Sequence, residues 1–332
     1  FQKVLEFNKQ FIYEFIGTLS DFVVAVSAAL ILRNVWALVF GLLAGNMARL
    51  IVSYRIHPYR PRISHDLKKA KELWGFGKWV LGATILTFLI TQGDDIFVGK
   101  IVGVAALGFY QLAYKISNMP TTELTHVITR VSFPAYSKIQ DSKERLKRAY
   151  LKIFKLVSIV AFPLSGGIFI FAPAFTQLIL GAKWQPAVSS MQALALYGLI
   201  RSVGATTGPL FNALGKPKYV VRLQTIQLVL IALLIYPLTV RWGILGTSLA
   251  ITITAVIIRP ITDNIVRKSI GLPFLHYLKL LCFPLLITAM SCAFMLVINY
   301  AWSANSGLFP LITQIVLFIF MYAGLTFLFD SL

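Results

Sequence analysis

YVVRLQTIQLVLIALLIYPLTVRWGILGTSLAITITAVIIRPITDNIV (219–266) holds two apolar runs, 219–240 and 243–266, separated only by Arg241 and Trp242. A helix crossing the ~30 Å hydrocarbon core of a bilayer needs about 20 mostly apolar residues, and each run supplies them. The stretch therefore reads as two membrane-spanning helices joined by a tight turn. Comparable runs lie outward from it at 15–32, 35–54, 75–99, 105–136, 154–174, 186–211, 277–299 and 308–329. The fold class that follows is all-α, a polytopic transmembrane helix bundle of about ten helices. Pro134, Pro163, Pro237 and Pro284 fall inside runs and predict kinks, which neighbouring helices in a bundle accommodate.

Composition points the same way. Of 332 residues, 58% are hydrophobic and 13% charged, and the mean hydropathy is +0.77; a soluble domain carries roughly a quarter charged residues. Ten spans use roughly 200 positions, which leaves short connections and no room for a large soluble domain. In a soluble protein the formal charge of +19 points to nucleic acid. Here no nucleic-acid-binding motif is present, and the basic residues collect in alternate loops. Of the 31 Lys and Arg, 21 fall in the tail and loops of one side, 4 in the loops of the other, and the rest within spans. That bias places the basic loops in the cytoplasm, with the chain in the cytoplasmic (inner) membrane. Two basic connections, HDLKKAKELW (65–74) and DSKERLKRAYLKIFK (141–155), are amphipathic. They read either as helices at the headgroup surface or as solvated loops. The start at Phe1, with no signal peptide before the first span, reads as a truncation.

Soluble-enzyme motifs are absent: there is no GxxxxGKS/T phosphate loop, HExxH, GxSxG or CxxC pair. His57, His65, His126 and His276 have no metal-ligand spacing, and Cys282 and Cys292 share one apolar stretch without a disulfide or metal pattern. No cofactor, metal or nucleic-acid partner is expected, and no enzymatic activity: the short, nearly uncharged outward loops offer no place for catalysis.

The informative residues are the ionisable ones inside spans, because each is costly there and faces a cavity or a partner. The fourth span carries Lys115, Glu123, His126 and Arg130. At about 100° per residue, Lys115, Thr122, His126 and Arg130 fall within about 80° of one another, with Glu123 beside them. They form a polar stripe that either lines a cavity or pairs internally. Arg201 lies mid-span in the sixth run with no acidic residue near it in sequence; its fork of donors suits a phosphate or pyrophosphate. Arg130, Arg201, Lys115 and His126 are thus candidates for an anionic headgroup. Asp94 and Asp95, with Glu123, are candidates for gating or ion coupling; the alternative for the two aspartates is a helix end capped at the interface. Arg259 and Asp263 are four apart, the spacing of a local, structural salt bridge. The intramembrane charge is net basic, which suits an anionic headgroup but does not separate a lipid-linked sugar from an anionic drug.

At DDIFVGKIVGVAALGFYQLAYKISNMP (94–120) the chain resembles the first hairpin of a lobe in polysaccharide-export flippases of the multidrug/oligosaccharidyl-lipid/polysaccharide transporter superfamily. FPAYSKIQDSKERLKRAYLK (133–152), FPLSGGIFIFAPAFTQLILGAKWQPA (162–187) and ALGKP (213–217) extend the similarity over roughly 10–270. The resemblance implies a two-lobe, pseudo-symmetric transporter fold. Residues 1–54 would be the last two helices of the first lobe, 55–74 a cytoplasmic inter-lobe linker, 75–270 the second six-helix lobe and 271–332 two additional helices. Four helices of the first lobe would be missing. The implied task is to flip undecaprenyl-pyrophosphate-linked oligosaccharide by alternating access for lipopolysaccharide or exopolysaccharide synthesis. The partners implied are that lipid, membrane lipids and other polysaccharide-assembly proteins. The alternatives are a cation-coupled multidrug exporter of similar architecture, a membrane-embedded glycan polymerase or ligase, and a scaffold.

Overall fold

A computed structural model describes residues 7–56, 67–301 and 307–330. Among them there is no β-strand; the order is α1 (Phe7–Leu32), α2 (Trp36–Ile56), α3 (Leu67–Ile101), α4 (Val104–Ile139), α5 (Lys143–Phe175), α6 (Val188–Gly204), α7 (Thr207–Ala213), α8 (Pro217–Ile270), α9 (Phe274–Ala301) and α10 (Leu308–Asp330). The chain divides into two compact units, Phe1–Trp74 and Gly75–Leu332, with the boundary inside α3.

In the first unit α1 and α2 form an antiparallel hairpin. The chain reverses at Arg33, which takes a positive φ of 47°, and Asn34 Oδ1 accepts the Trp36 N–H at 3.0 Å. Ala37, Gly41 and Gly45 recur every fourth residue along the buried face of α2. A Cβ on Gly41 would stand 2.6 Å from Ala25 Cβ and 2.7 Å from Asp21 Oδ1; one on Gly45 would stand 2.9 Å from the Gly17 carbonyl oxygen. Lipid tails are as apolar as leucine, so close backbone approach supplies the cohesion here. Arg49 lies across Gly17 and reaches Glu14 at 3.6 Å.

In the second unit α6 is the hub. Ser117 of α4 donates to the Met191 carbonyl at 2.7 Å, Ser165 of α5 to Ala195 at 2.7 Å, and Thr252 of α8 to Ala193 at 3.0 Å. Each uses the second lone pair of a carbonyl already bonded within the helix. Gly198 permits the α4 contact, since a Cβ there would meet Thr121 Oγ1 at 2.9 Å. Tyr110, Met191, Leu194 and Ile251 pack around these bonds. A second cluster, including Tyr150, Phe154, Phe211, Val266 and Tyr277, joins α5, α7, α8 and α9. The last two helices pack on α5: Gly166 lets Thr288 and Cys292 approach, Phe171 meets Phe318 edge-on, and Tyr322 donates to the Ile159 carbonyl at 2.8 Å. Both cysteines, on α9, are free thiols.

The turn expected after residue 240 is present. α8 leaves helical geometry at Trp242 and Gly243 (φ 56°) and folds back on itself. Thr239 and Thr247 share a 2.8 Å hydrogen bond across the turn, and a Cβ on Gly246 would fall on the Leu238 carbonyl. Three boundaries differ from the sequence expectation. α3 begins at Leu67 and α5 at Lys143, so the basic stretches 67–74 and 143–155 are helical and continuous with the helices that follow, neither separate surface helices nor loops; residues 65 and 66 lie outside the described residues. The sixth run, expected as one helix over 186–211, is broken between Gly204 and Thr207 and opens with a 3-10 turn, Ala182–Ala187. Pro209 explains the break: it has no N–H for the carbonyl of Ala205, and its ring collides with that carbonyl in a continuous helix.

By length and composition α1, α2, α5, α8, α9 and α10 are each able to cross a membrane, and α8 folds back once. α3, α4 and α6 fall outside that group; α3 and α4 hold Asp94, Asp95, Lys115 and Glu123, and α6 holds Arg201. The molecule is a multi-pass membrane protein.

Candidate functional site

Arg201 stands in the last turn of α6, just before the break. Because the chain there turns into α7, a cavity of about 340 Å³ opens between α4, α6, α7 and α8. Its polar lining comprises Thr125, Tyr197, Arg201, Thr207, Gln224, Gln227, Arg259 and Thr262.

The two arginines differ in their electrostatic surroundings. Arg259 is anchored: Nε donates to Asp263 Oδ2 at 2.9 Å, Nη2 lies 2.7 Å from Asp263 Oδ1, and Nη2 also donates to Tyr277 Oη at 2.9 Å. The guanidinium stands 5.9 Å over the Phe154 ring, and Nη1 packs against Gly204, where a Cβ would meet it at 3.1 Å. Both side chains of the pair are largely enclosed (13% and 10% exposed). Such a pair persists only when well hydrogen-bonded, because desolvating two charges is costly. Arg201, by contrast, pairs with no carboxylate among the described residues. Its electrostatic neighbours are the phenols of Tyr114 and Tyr197, which are neutral at ordinary pH. Arg259 and Asp263 cancel, so among the described residues the net positive charge lining the cavity is that of Arg201.

Tyr197 also connects the cavity to the other end of α4. Its ring lies 6.3 Å from Tyr114, which lies 6.3 Å from Tyr110. Tyr110 donates to Asp94 Oδ2 at 2.6 Å, while Asp94 Oδ1, also buried, has no hydrogen-bond partner among the described residues. Asp95 accepts from Gln111 Nε2 at 3.0 Å. The two aspartates sit about two turns inside α3 and tie it to α4; they do not cap a helix end, since α3 continues to Ile101.

Of the candidate headgroup residues, the structure places Arg201 in this cavity and Lys115 elsewhere. On α4, Tyr110, Ser117, Thr121 and Ile128 form the buried face, and Lys115 and Glu123 are exposed on the far side of the helix. The side chains of His126 and Arg130 lie outside the described residues. Among the described side chains of the stripe, Lys115 and Glu123 therefore do not share the cavity of Arg201. The cavity also recruits Tyr197, Gln224 and Gln227, for which charge and hydropathy give no signal, and Arg259, whose i, i+4 spacing to Asp263 suggests only a local pair. A separate groove of about 530 Å³ between α4, α5 and α10 is lined almost wholly by apolar side chains, among them Ile116, Leu164, Phe171, Phe318 and Ile319.

Known proteins share both the sequence and the architecture. The chain is 27% identical over 307 residues to the lipopolysaccharide biosynthesis protein WzxC of Escherichia coli (strain K12), covering 90% of this chain and 61% of that protein. It is 26% identical over 290 residues to the teichuronic acid biosynthesis protein TuaB of Bacillus subtilis (strain 168), covering 87% of this chain and 60% of that one. The chain thus spans about six tenths of the length of the curated relatives it matches. The fold is that of the lipid II flippase MurJ in its inward closed conformation, with a TM-score of 0.76 at 14% identity, over 96% of this chain and 67% of that one. Residues 1–189 match the family model described as polysaccharide biosynthesis protein. With more than half of its length matched, the chain belongs to the polysaccharide biosynthesis protein family.

Proposed function

We propose that this chain forms part of a flippase that carries undecaprenyl-pyrophosphate-linked oligosaccharide across the cytoplasmic membrane for polysaccharide or lipopolysaccharide synthesis, and that it performs no covalent chemistry. The observation that carries this reading is Arg201, a cation inside a helix bundle with no carboxylate partner among the described residues. Such a group is expensive in a membrane and is retained where an anion comes to it. The relatives named for lipopolysaccharide and teichuronic acid synthesis, and the fold shared with a lipid II flippase, support a glycan carried on a lipid as that anion.

In this reading residues 1–54 end a first lobe, 55–74 link it to the second on the cytoplasmic side, 75–270 form the second lobe, and 271–332 add two helices. Basic loops face the cytoplasm, and transport proceeds by alternating access, with one lobe rocking against the other. Arg201 meets the pyrophosphate, and Lys115, His126 and Arg130 of α4 are further contacts for the anionic headgroup. Asp94, Asp95 and Glu123 respond to an ion or gate the path. Membrane lipids, and other proteins of polysaccharide assembly, are the partners. The apolar groove beside α10 matches an isoprenoid chain in chemistry.

The test is transfer of a fluorescent undecaprenyl-pyrophosphate oligosaccharide in proteoliposomes, using the whole protein that carries this sequence and its Arg201→Ala variant. Transfer by the parent and its loss in the variant is the expected result. No transfer by a folded parent, across several glycans, overturns the reading in favour of a drug exporter of similar architecture.

A further inference from the structure

The first three turns of α5 have two unlike faces. Leu146, Tyr150, Phe154 and Val157 recur at helical spacing and are fully buried. At about 100° per residue, Arg145, Arg148, Lys152 and Lys155 fall within about 80° of one another on the opposite side. Arg145, Arg148 and Lys152 are exposed, and Lys155 is half-buried. Glu144, the acidic residue of this stretch, lies at the edge of the ridge and meets Lys147 at 4.0 Å. The same face carries on past the last cation. Ile159 and Pro163 follow Lys155 by one and two turns, and both line the apolar groove between α4, α5 and α10. The bond from Tyr322 to the Ile159 carbonyl ties α10 to α5 at this end. Val160, Leu164 and Ile319 of the groove are exposed, so it opens to the outside of the bundle.

Depth follows from the sequence. From Leu156 to Phe175 α5 carries no charge, and about 20 residues of helix span ~30 Å, the thickness of the hydrocarbon core. Lys155 and Lys152 therefore fall at one boundary of that core, in the headgroup layer. Arg148 reaches the layer through its long stem, and Arg145 stands about one turn further out. A ligand matching this face has negative charge at one end and hydrocarbon at the other. A soluble anion or an acidic peptide meets the cations but leaves the adjoining groove empty. A zwitterionic lipid fills the groove but gains little from the ridge. A prenyl pyrophosphate has both parts, but its charge is compact, whereas these cations are spread over about 15 Å of helix. An anionic lipid of the leaflet uses both surfaces, since each Lys or Arg at a membrane surface attracts such headgroups.

We infer that the outward face of α5 from Arg145 to Pro163 is a site for a phospholipid with a net negative headgroup. Lys152, Lys155 and Arg148 hold the headgroup, and an acyl chain lies along Ile159 and Pro163 into the end of the groove beside α10. The site lies outside the Arg201 cavity, whose walls come from α4, α6, α7 and α8. It does not rest on the transport reading, because a resident lipid binds whether or not a glycan is carried.

Native mass spectrometry of the whole protein that carries this sequence, purified in mild detergent, tests it. The protein is titrated with phosphatidylglycerol in one arm and phosphatidylcholine of the same chains in the other. The first phosphatidylglycerol is expected to bind roughly tenfold tighter than phosphatidylcholine, with the preference shrinking as salt rises. Lys152→Gln lowers the preference about fivefold, Arg148→Gln somewhat less and Arg145→Gln least. Lys216→Gln with Lys218→Gln, which removes two exposed cations at the start of α8, leaves it unchanged. Ile319→Trp, which narrows the groove, weakens binding of dioleoyl phosphatidylglycerol and spares the dihexanoyl form. Equal binding of the two headgroups overturns the inference, as does a preference that Arg148→Gln with Lys152→Gln leaves intact. Displacement of phosphatidylglycerol by equimolar farnesyl pyrophosphate would give this face to a carried lipid, and displacement by soluble polyglutamate would give it to a protein partner; either result overturns the inference.

Discussion

The α1–α2 hairpin and the α6 hub hold helices together in opposite ways. In the hairpin, glycines on both helices bring the backbones so close that a single added Cβ on Gly41 or Gly45 overlaps a neighbour. At the hub, hydroxyls of Ser117, Ser165 and Thr252 bridge to carbonyls of α6. Beyond those bridges the break before α7 leaves a cavity. The arginines follow the same division. Arg49 lies against Gly17 and reaches Glu14, while Arg201 stands at the edge of open space beside the phenols of Tyr114 and Tyr197, with no carboxylate partner among the described residues. Contact through glycine leaves no room for a ligand; contact through side chains, interrupted by a proline, does.

The comparison is most strained by Arg259, an arginine of the cavity that is nonetheless paired. Arg259→Ala leaves Asp263 buried without its partner and is expected to cost about 3–5 kcal/mol, read as a large fall in the thermal midpoint in detergent. Arg259→Ala with Asp263→Ala should recover much of that loss; a double variant as unstable as the single would mean that packing against Phe154 and Gly204, not charge, sets the effect. Next in size is Gly41→Leu. Overpacking there should cost about 1–3 kcal/mol and be visible as accelerated proteolysis of the hairpin, while an equally protected variant would show that α1 and α2 have slack. Smallest is Ser117→Ala, for which one interhelical hydrogen bond in a membrane predicts only about 0.6 kcal/mol. A loss several times larger, measured by unfolding in mixed micelles, would make that bond a keystone of the hub and not one of several equivalent ties.

Apolar run length was sufficient for the class of the protein and for the turn at Trp242–Gly243, because the bilayer fixes how long an apolar segment must be. The break in the sixth span was encoded as well, in Pro209, but hydropathy does not register a missing N–H. The stripe of Lys115 and Glu123 on one side of α4 was legible from the 3.6-residue period. What the period cannot say is which neighbour that side meets, since a membrane helix is apolar nearly all round and its buried face is chosen by small and hydroxyl residues that hydropathy ranks as neutral. Arg201 and Lys115 therefore looked like members of one basic cavity.

Only the tertiary structure separated them. Gly198, Ser117 and Thr121 turn one face of α4 toward α6, which sends Lys115 to the other face. Gln224, Gln227 and Arg259 reach the space beside Arg201 because α8 folds back at Trp242 and Gly243 and runs past α6 twice. Sequence determined that this chain lives in a membrane and spends charge there, because the cost of burying a charge depends on residue type and depth. Where each charge points depended on packing, because orientation about a helix axis is set by contacts among residues distant in the chain.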